Sequence, residues 1–502
     1  MLNFKNKNMK KLIILLTIIL IFQSCDNGFA ELNVNPTKPT QLSPASKLSY
    51  IQLYTGGSSY VAYLFWNVIH LMQNVQQLNN TSYISFVYKV GSTHYLFEEQ
   101  FSTTVKNITD LEAQLKASDE PTAINDLAIA RIQKVLIFSR ITDAYGDIPY
   151  SQAGKGFSEG IGFPEYDKQS DIYADMLSIL ESSAATLSKG GANSYGSADL
   201  LFGGDNLKWK KFANSLMLRL AMRMVKVDET AAKTWAAKAI SGGVMESNGD
   251  IAYLKYENNA NDGGPNVNPL TKCFTSRSST QVKISKTFMD FLKNHNDPRV
   301  SVLCSTVDGN TDPTLQFGQD INDPTRGNAN SKPNINIFGG SGKIVYDAPF
   351  YFQTYAEVEF MLAEAAQRWG LADGDVKAHY NKGIRAAMQH LAMYGPGSVI
   401  SSTAIDNYLT ANPFVAADAL KMINEQYWVA TFGNGLESFS NWKRSGYPQL
   451  VPIAVAATLT NGQIPRRLVY PGSEKLNNTT NVEAAIARQG GDELTTRMWW
   501  DK

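Results

Sequence analysis

The chain has 502 residues, 43% hydrophobic and 18% charged, with 46 basic against 46 acidic side chains and a formal net charge of zero. That balance lacks the basic excess of a nucleic-acid binder, and the apolar content is too high for a disordered protein. Three cysteines, Cys25, Cys273 and Cys304, exclude a disulfide framework as the source of the fold.

Lys5, Lys7, Lys10 and Lys11 precede an apolar run from Leu12 to Phe22. The run is too short for a bilayer span, which takes about 20 helical residues, and it has the form of an export signal. Either Met1 or Met9 serves as its start. It ends in Ile21-Phe22-Gln23-Ser24-Cys25, which resembles a bacterial lipoprotein box, with cleavage before Cys25 and lipid on that residue. A plain secretory signal with a chance cysteine is the competing reading. Removing residues 1–24 leaves a net charge of −4, which gives no electrostatic hold on an anionic membrane. The lipid would be the anchor. Cys273 and Cys304 then either pair or remain buried thiols.

Residues 25–44 contain Pro36, Pro39 and Pro44 and read as an extended tether. From residue 45 to 502 helical periodicity dominates. Tyr60 to Leu78 is apolar on one side and Asn/Gln-rich on the other. Thr93–Lys116 and Thr122–Tyr145 form a pair, with Glu120-Pro121 marking the second start. Ser170–Leu187, Leu207–Val227 and Glu229–Ile240 follow, the last closed by Gly242-Gly243. Trp209, Phe212, Leu216 and Leu220 make a core stripe on one of these helices. Tyr355–Trp369 and Asp375–Leu391 make a tight hairpin, with Ala363, Ala365 and Ala366 permitting close approach. Ala416–Thr431 and Leu436–Arg444 suggest another. The expected fold is all-α, built of tetratricopeptide-like helical hairpins without a strict repeat. The stretch 253–351 is a loop-rich insertion, with one clear helix at Ser285–Asn294. Residues 450–502 read as mostly irregular.

Several blocks resemble the SusD/RagB family of outer-membrane lipoproteins. They are Phe29-Ala30-Glu31-Leu32-Asn33-Val34-Asn35-Pro36 and Asp143-Ala144-Tyr145-Gly146-Asp147-Ile148-Pro149-Tyr150, then Trp209 to Leu216 with Arg219 to Arg223. Asn296-Asp297-Pro298-Arg299, Ala363-Glu364-Ala365-Ala366 and Arg466-Arg467 with Tyr470-Pro471 complete the series. They run in order along nearly the whole mature chain. The resemblance implies a surface protein without catalysis or cofactor. It would capture oligosaccharide, or in some members peptide, for a SusC-like TonB-dependent transporter. An envelope hydrolase and a structural lid of low affinity are the alternatives.

The residues themselves support the non-catalytic reading. No H-E-x-x-H or C-x-x-C occurs, and the five histidines are scattered. Phe338-Gly339-Gly340-Ser341-Gly342-Lys343-Ile344 lacks the spacing and the Ser/Thr of a phosphate loop. Asp308-Gly309-Asn310-Thr311-Asp312 begins like a calcium loop but carries Pro313 and Gln319 where such a loop needs Gly and Glu. Asp143, Asp147, Asn296 and Asp297 read as structural, and Arg219 and Arg223 either pair with acids or face water. Sugar recognition needs aromatic faces and hydrogen-bonding amides or guanidinium groups on loops. Tyr83, Tyr256, Asn266, Asn268, Phe274 and Arg277 are the candidates, with loop packing the competing reading. Trp499-Trp500 reads as an exposed aromatic pair suited to docking.

Overall fold

The structure, a computed structural model, describes residues 42–57, 68–77, 90–257, 266–276, 282–320, 322, 330–339, 345–452 and 459–502. The expected signal, Cys25 and nearly all of the tether lie outside the described residues. Of the expected helix Tyr60–Leu78, residues 60–67 and 78 lie outside the described residues, 68–71 are helical, and the chain then turns into a short strand at Val75–Gln77. A compact unit runs from Pro44 to Lys502.

The helices follow the apolar periodicity and stop where the backbone chemistry requires. α1 (Pro44–Gly56) opens on proline at its first position. α2 (Val90–Gln100) and α3 (Lys106–Lys116) are joined by a π-helical turn, Phe101–Val105, inside what periodicity reads as one helix. α4 (Ala123–Tyr145) ends at Gly146, whose φ of 85° suits glycine. A Cβ there would lie 1.9 Å from Gln489 Oε1, so a second constraint fixes the same residue. α5 (Gln169–Leu187), α6 (Asn206–Arg223) and α7 (Glu229–Gly242) come next. The carboxylates of Asp205 and Asp228 cap the starts of α6 and α7.

Within the insertion lie α8 (Pro269–Ser276) and α9 (Lys286–Asn294). α10 (Tyr355–Trp369) agrees with the periodicity residue for residue. Thr354 and Glu357 form its capping box, and Gly370 ends it in the left-handed conformation. α11 (Val376–Gln389) is capped by Asp375. α12 (Ser402–Ala411), α13 (Ala419–Ala430) and α14 (Gly435–Ser445) follow. The tail is not irregular as the sequence suggests. It holds α15 (Gly472–Asn477) and α16 (Thr479–Gln489).

Among the described residues, α3/α4, α5/α6, α10/α11 and α13/α14 pack as successive helical hairpins. α4 also lies against α5, and α10 against α13, so the hairpins share one core. The fold is therefore mostly helical and solenoid-like, as expected. Trp209, Phe212, Leu216 and Leu220 are all fully buried, and Trp209 Nε1 donates to Asp199 Oδ2 at 2.7 Å.

The strands form two-stranded antiparallel ladders. β1 (Val75–Gln77) pairs with β5 (Val282–Ile284), and β2 (Ile148–Pro149) with β3 (Tyr166–Asp167). β4 (Ala252–Leu254) pairs with β8 (Phe350–Gln353), and β6 (Cys304–Ser305) with β7 (Lys332–Pro333). All but β2/β3 involve the insertion or its flanks, and they hold it to the helical scaffold. Cys304 is a free, buried thiol.

Candidate functional site

Two polar regions compete for the role of a site. The first is a buried ionic network between the hairpins. Arg223 Nη2 donates to both Glu437 oxygens at 2.7 and 2.6 Å, and its Nε reaches Asp143 Oδ2 at 3.3 Å. Arg219 Nη2 donates to Glu357 Oε2 at 2.6 Å, and Tyr427 OH donates to Glu437 Oε1 at 2.6 Å. Asp143 also accepts from Tyr173 OH and from Trp500 Nε1, the latter at 3.1 Å. Farther along, Arg444 forks onto both oxygens of Glu364 at 2.6 and 2.8 Å.

Burial pushes the Asp143 and Glu357 carboxyls up. Burial opposes ionisation of Glu437 as well, but Arg219 and Arg223 outweigh it and hold that carboxyl below its ordinary range. Burial likewise works against Glu364, yet Arg444 and Arg368 hold it at about 2. Clustered perturbed groups often mark active sites. Space decides against that here. The cavity beside Asp143, Arg219 and Glu437 holds about 20 Å³, room for one water and not for a sugar or a peptide. The network is structural, and Arg219 and Arg223 pair rather than face water.

The second region is the rim where β1, β5 and β7 meet the insertion. Gln73 sits at a φ of 53° with its side chain clasping Val451, Nε2 to the carbonyl at 2.6 Å and Oε1 to the amide at 3.1 Å. Asn74 is fully buried, and neither polar atom of its side chain has a hydrogen-bond partner. Asn330 Nδ2 donates to Gln319 Oε1 at 2.6 Å, and Ser331 Oγ to Gln316 Oε1 at 2.6 Å. Lys283, paired across the ladder with Gln76, and Lys332 are both buried. Burial pushes the Lys332 ammonium down to about 8, with the Lys283 charge adding to the effect. An aromatic belt underlies the same elements. Phe274 packs edge-on to Phe338, which meets Phe432; Phe432 stacks on Phe288, and Phe288 meets Trp428. Trp428 Nε1 donates to Met72 O at 2.9 Å, next to Gln73. Amides, hydroxyls and lysines are the groups that recognise a ligand rich in hydroxyls. Here Gln73, Asn74, Lys283, Ser331 and Lys332 are all buried, with the belt tied to them through Trp428 and Met72.

The sequence candidates fare unequally. Tyr256 and Phe274 are core residues, 3% and 4% exposed, not aromatic platforms on a loop. Tyr256 is seated against Gly56, where a Cβ would lie 2.4 Å from the tyrosine oxygen. Asn268 is buried as well. Its Oδ1 caps α8 by accepting from Leu270 N and Thr271 N, and its Nδ2 donates to Ala348 O at 2.7 Å. Asn266 is exposed, and its carbonyl accepts from Glu257 N at 3.3 Å. Tyr83 and Arg277 lie outside the described residues. The expected exposed pair Trp499-Trp500 is corrected too. Trp500 is fully buried, and Trp499 is half-buried and edge-on to Tyr173. Gln73, Asn74, Lys283 and Lys332 were not singled out from sequence. Only the Asn/Gln-rich side of residues 60–78 hinted at the first two.

The chain matches the family described as "Starch-binding associating with outer membrane" over residues 37–471. It belongs to the SusD-like family. Among solved structures, a chitin-binding protein is 32% identical with a TM-score of 0.80, covering 91% of this chain and 100% of its own. A SusD-like protein of Bacteroidetes is 27% identical with a TM-score of 0.80, covering 92% and 100%. A chitin-binding SusD homolog from Flavobacterium johnsoniae is 25% identical with a TM-score of 0.73, covering 91% and 98%. No curated protein matches the chain. The SusD-like assignment makes this a glycan-binding nutrient protein of a family associated with the outer membrane.

Proposed function

We propose that this SusD-like protein captures a neutral oligosaccharide at the cell surface and passes it to a TonB-dependent barrel, without cleaving it. The observation that carries the reading is the amide-rich rim over an aromatic belt, in a chain whose family binds glycans. β-1,4-linked N-acetylglucosamine oligomers are the first ligands to test, because two of the similar structures are of chitin-binding proteins. Their acetamido groups match an unpaired amide such as that of Asn74. Tyr83, Asn266 and Arg277 belong to this proposal as ligand contacts. Tyr83 follows Gln77 by six positions and Arg277 precedes Val282 by five, and Gln77 and Val282 are ladder partners. Phe274 belongs to the aromatic belt through Phe338, while Tyr256 and Asn268 are core residues elsewhere and are not among the proposed ligand contacts.

Lipid on Cys25 would hold the protein to the outer membrane, with the tether 25–44 giving reach and the folded unit facing outward. Calorimetry with N-acetylglucosamine, malto- and xylo-oligosaccharides and a peptide digest tests capture. Binding of one glycan class, recovered at unchanged length, is expected. Failure of every glycan with uptake of peptide overturns the glycan reading. Co-purification with a TonB-dependent transporter from detergent-solubilised membranes tests the hand-over, and intact-mass analysis of the N-terminus tests the lipid.

A further inference from the structure

A second pocket, of about 370 Å³, lies among Asp147, Lys168, Gln169, Arg488, Arg497, Trp499 and Lys502. Its volume is in the range of small-ligand sites, about 300–1,000 Å³. Four cationic side chains line it, Lys168, Arg488, Arg497 and Lys502. The nearby carboxylates are already engaged. Asp147 accepts from Arg488 Nε at 2.7 Å and is itself buried. Asp501 is shared by Arg466 and Arg497. The Lys168 side chain is exposed and makes no ion pair among the described residues.

Two features separate the pocket from a general basic patch. Trp499 is half-buried, held edge-on by Tyr173, and brings an indole to the pocket wall. Gln169 is 1% exposed, and its Oε1 has no hydrogen-bond partner. Its Nε2 is tied to Thr142 O at 2.8 Å, which fixes the amide and leaves an acceptor in want of a donor. An inorganic anion would satisfy the cations and offer that acceptor nothing. A sugar hydroxyl would satisfy it, and a pyranose face would lie on the indole. Guanidinium and ammonium groups would take the acid.

We propose that this pocket is a second saccharide site, selective for an acidic sugar residue. The inference rests on the glycan-capture reading and adds an acidic saccharide, apart from the neutral oligosaccharide proposed above, as the ligand of this separate pocket. The test uses the folded mature chain and four probes: galacturonate trisaccharide, its methyl ester, 6-sulfated N-acetylglucosamine disaccharide, and inorganic sulfate. At least one acidic sugar should bind about tenfold more tightly than the neutral ester, and its affinity should fall several-fold between low and high salt. Lys168→Glu and Trp499→Ala should each weaken the acidic sugar at least about fivefold and leave neutral-oligosaccharide binding unchanged. Lys168 makes no bond that folding needs, so its variant keeps the test valid if Trp499→Ala unfolds.

Equal binding of acid and ester overturns the proposal, as does an acid affinity untouched by Lys168→Glu. Absence of binding by both acidic sugars also overturns it. If inorganic sulfate binds as well as the sulfated sugar and Trp499→Ala changes neither, the pocket holds anions and not sugars. The neutral panel tests the function proposed above and the acidic panel tests this pocket, so each can fail alone.

Discussion

The scaffold network and the insertion rim both bury many polar groups, but they satisfy them differently. Asp143 accepts from Tyr173, Arg223 and Trp500, while its own carbonyl takes Lys443 Nζ at 2.6 Å. On the rim, the Asn74 amide has no partner, and Lys332 faces another lysine. In the scaffold network even Arg219 Nε, which makes no hydrogen bond, lies 3.3 Å from Glu437 Oε2. Densely paired networks rigidify and specify a core, whereas buried amides with no partner call for a ligand or water. The more strongly perturbed charges therefore mark structure in this protein, and the quieter amides mark the candidate site.

Variants can break this contrast. Arg223→Ala leaves Asp143 without its ion-pair partner and Glu437 with Arg219 alone, so it should cost about 3–5 kcal/mol in chemical denaturation while the folded fraction still binds glycan. A milder loss, or a loss of binding at full stability, would make the network functional. Phe274→Ala should cost about 3 kcal/mol, because the ring is core and leaves a cavity under the belt. Thermal melts check it, and a normal melt would return Phe274 to the loop.

Acid sharpens the comparison further. The Glu364 carboxyl sits at about 2 in the folded protein against 4.5 ordinarily, because Arg444 and Arg368 overcome burial. Its stabilisation is fully present above pH 4.5 and drains away as pH falls towards 2, on the order of 3 kcal/mol in all. Glu364→Gln should flatten that limb of the stability–pH curve. An unaltered acid limb would mean that other carboxylates govern acid unfolding.

The smallest effects are expected where bonds are absent. Tyr256→Phe removes a buried hydroxyl that has no partner, so stability should stay within about 0.5 kcal/mol. Asn74→Ala should also leave the melt nearly unchanged but lower affinity for the captured oligosaccharide. Unchanged affinity would move the site off this rim.

Much of the scaffold is legible in the sequence because its signals are local. Tyr355–Trp369 carries its period, its capping box and its terminal glycine within seventeen residues, from Thr354 to Gly370. α16 escapes notice because it is short and few of its side chains are buried, Val482 and Ala485 among them. Trp500 misleads for a different reason: its partner Asp143 is 357 positions away, and Met498 and Trp499 beside it form too short an apolar run to announce burial. Tyr256 and Phe274 sit in polar, glycine-rich stretches, yet Gly56, Arg140 and Phe338 come from elsewhere to cover them. Rim amides such as Asn74 carry no period at all, so only the structure singles them out.

The bond from Trp500 to Asp143 also sets an order of events. A growing chain can assemble the early hairpins, with Tyr173 and Arg223 already at Asp143, but the third side-chain donor lies 357 positions further on. Until residue 500 arrives, the Asp143 carboxylate lacks the indole that covers its remaining side, and the helices around it have reason to stay loose. Completion of this part of the scaffold thereby waits on residues made long after its first hairpins, so a chain stalled or truncated before residue 500 should remain open to proteases after those hairpins have formed.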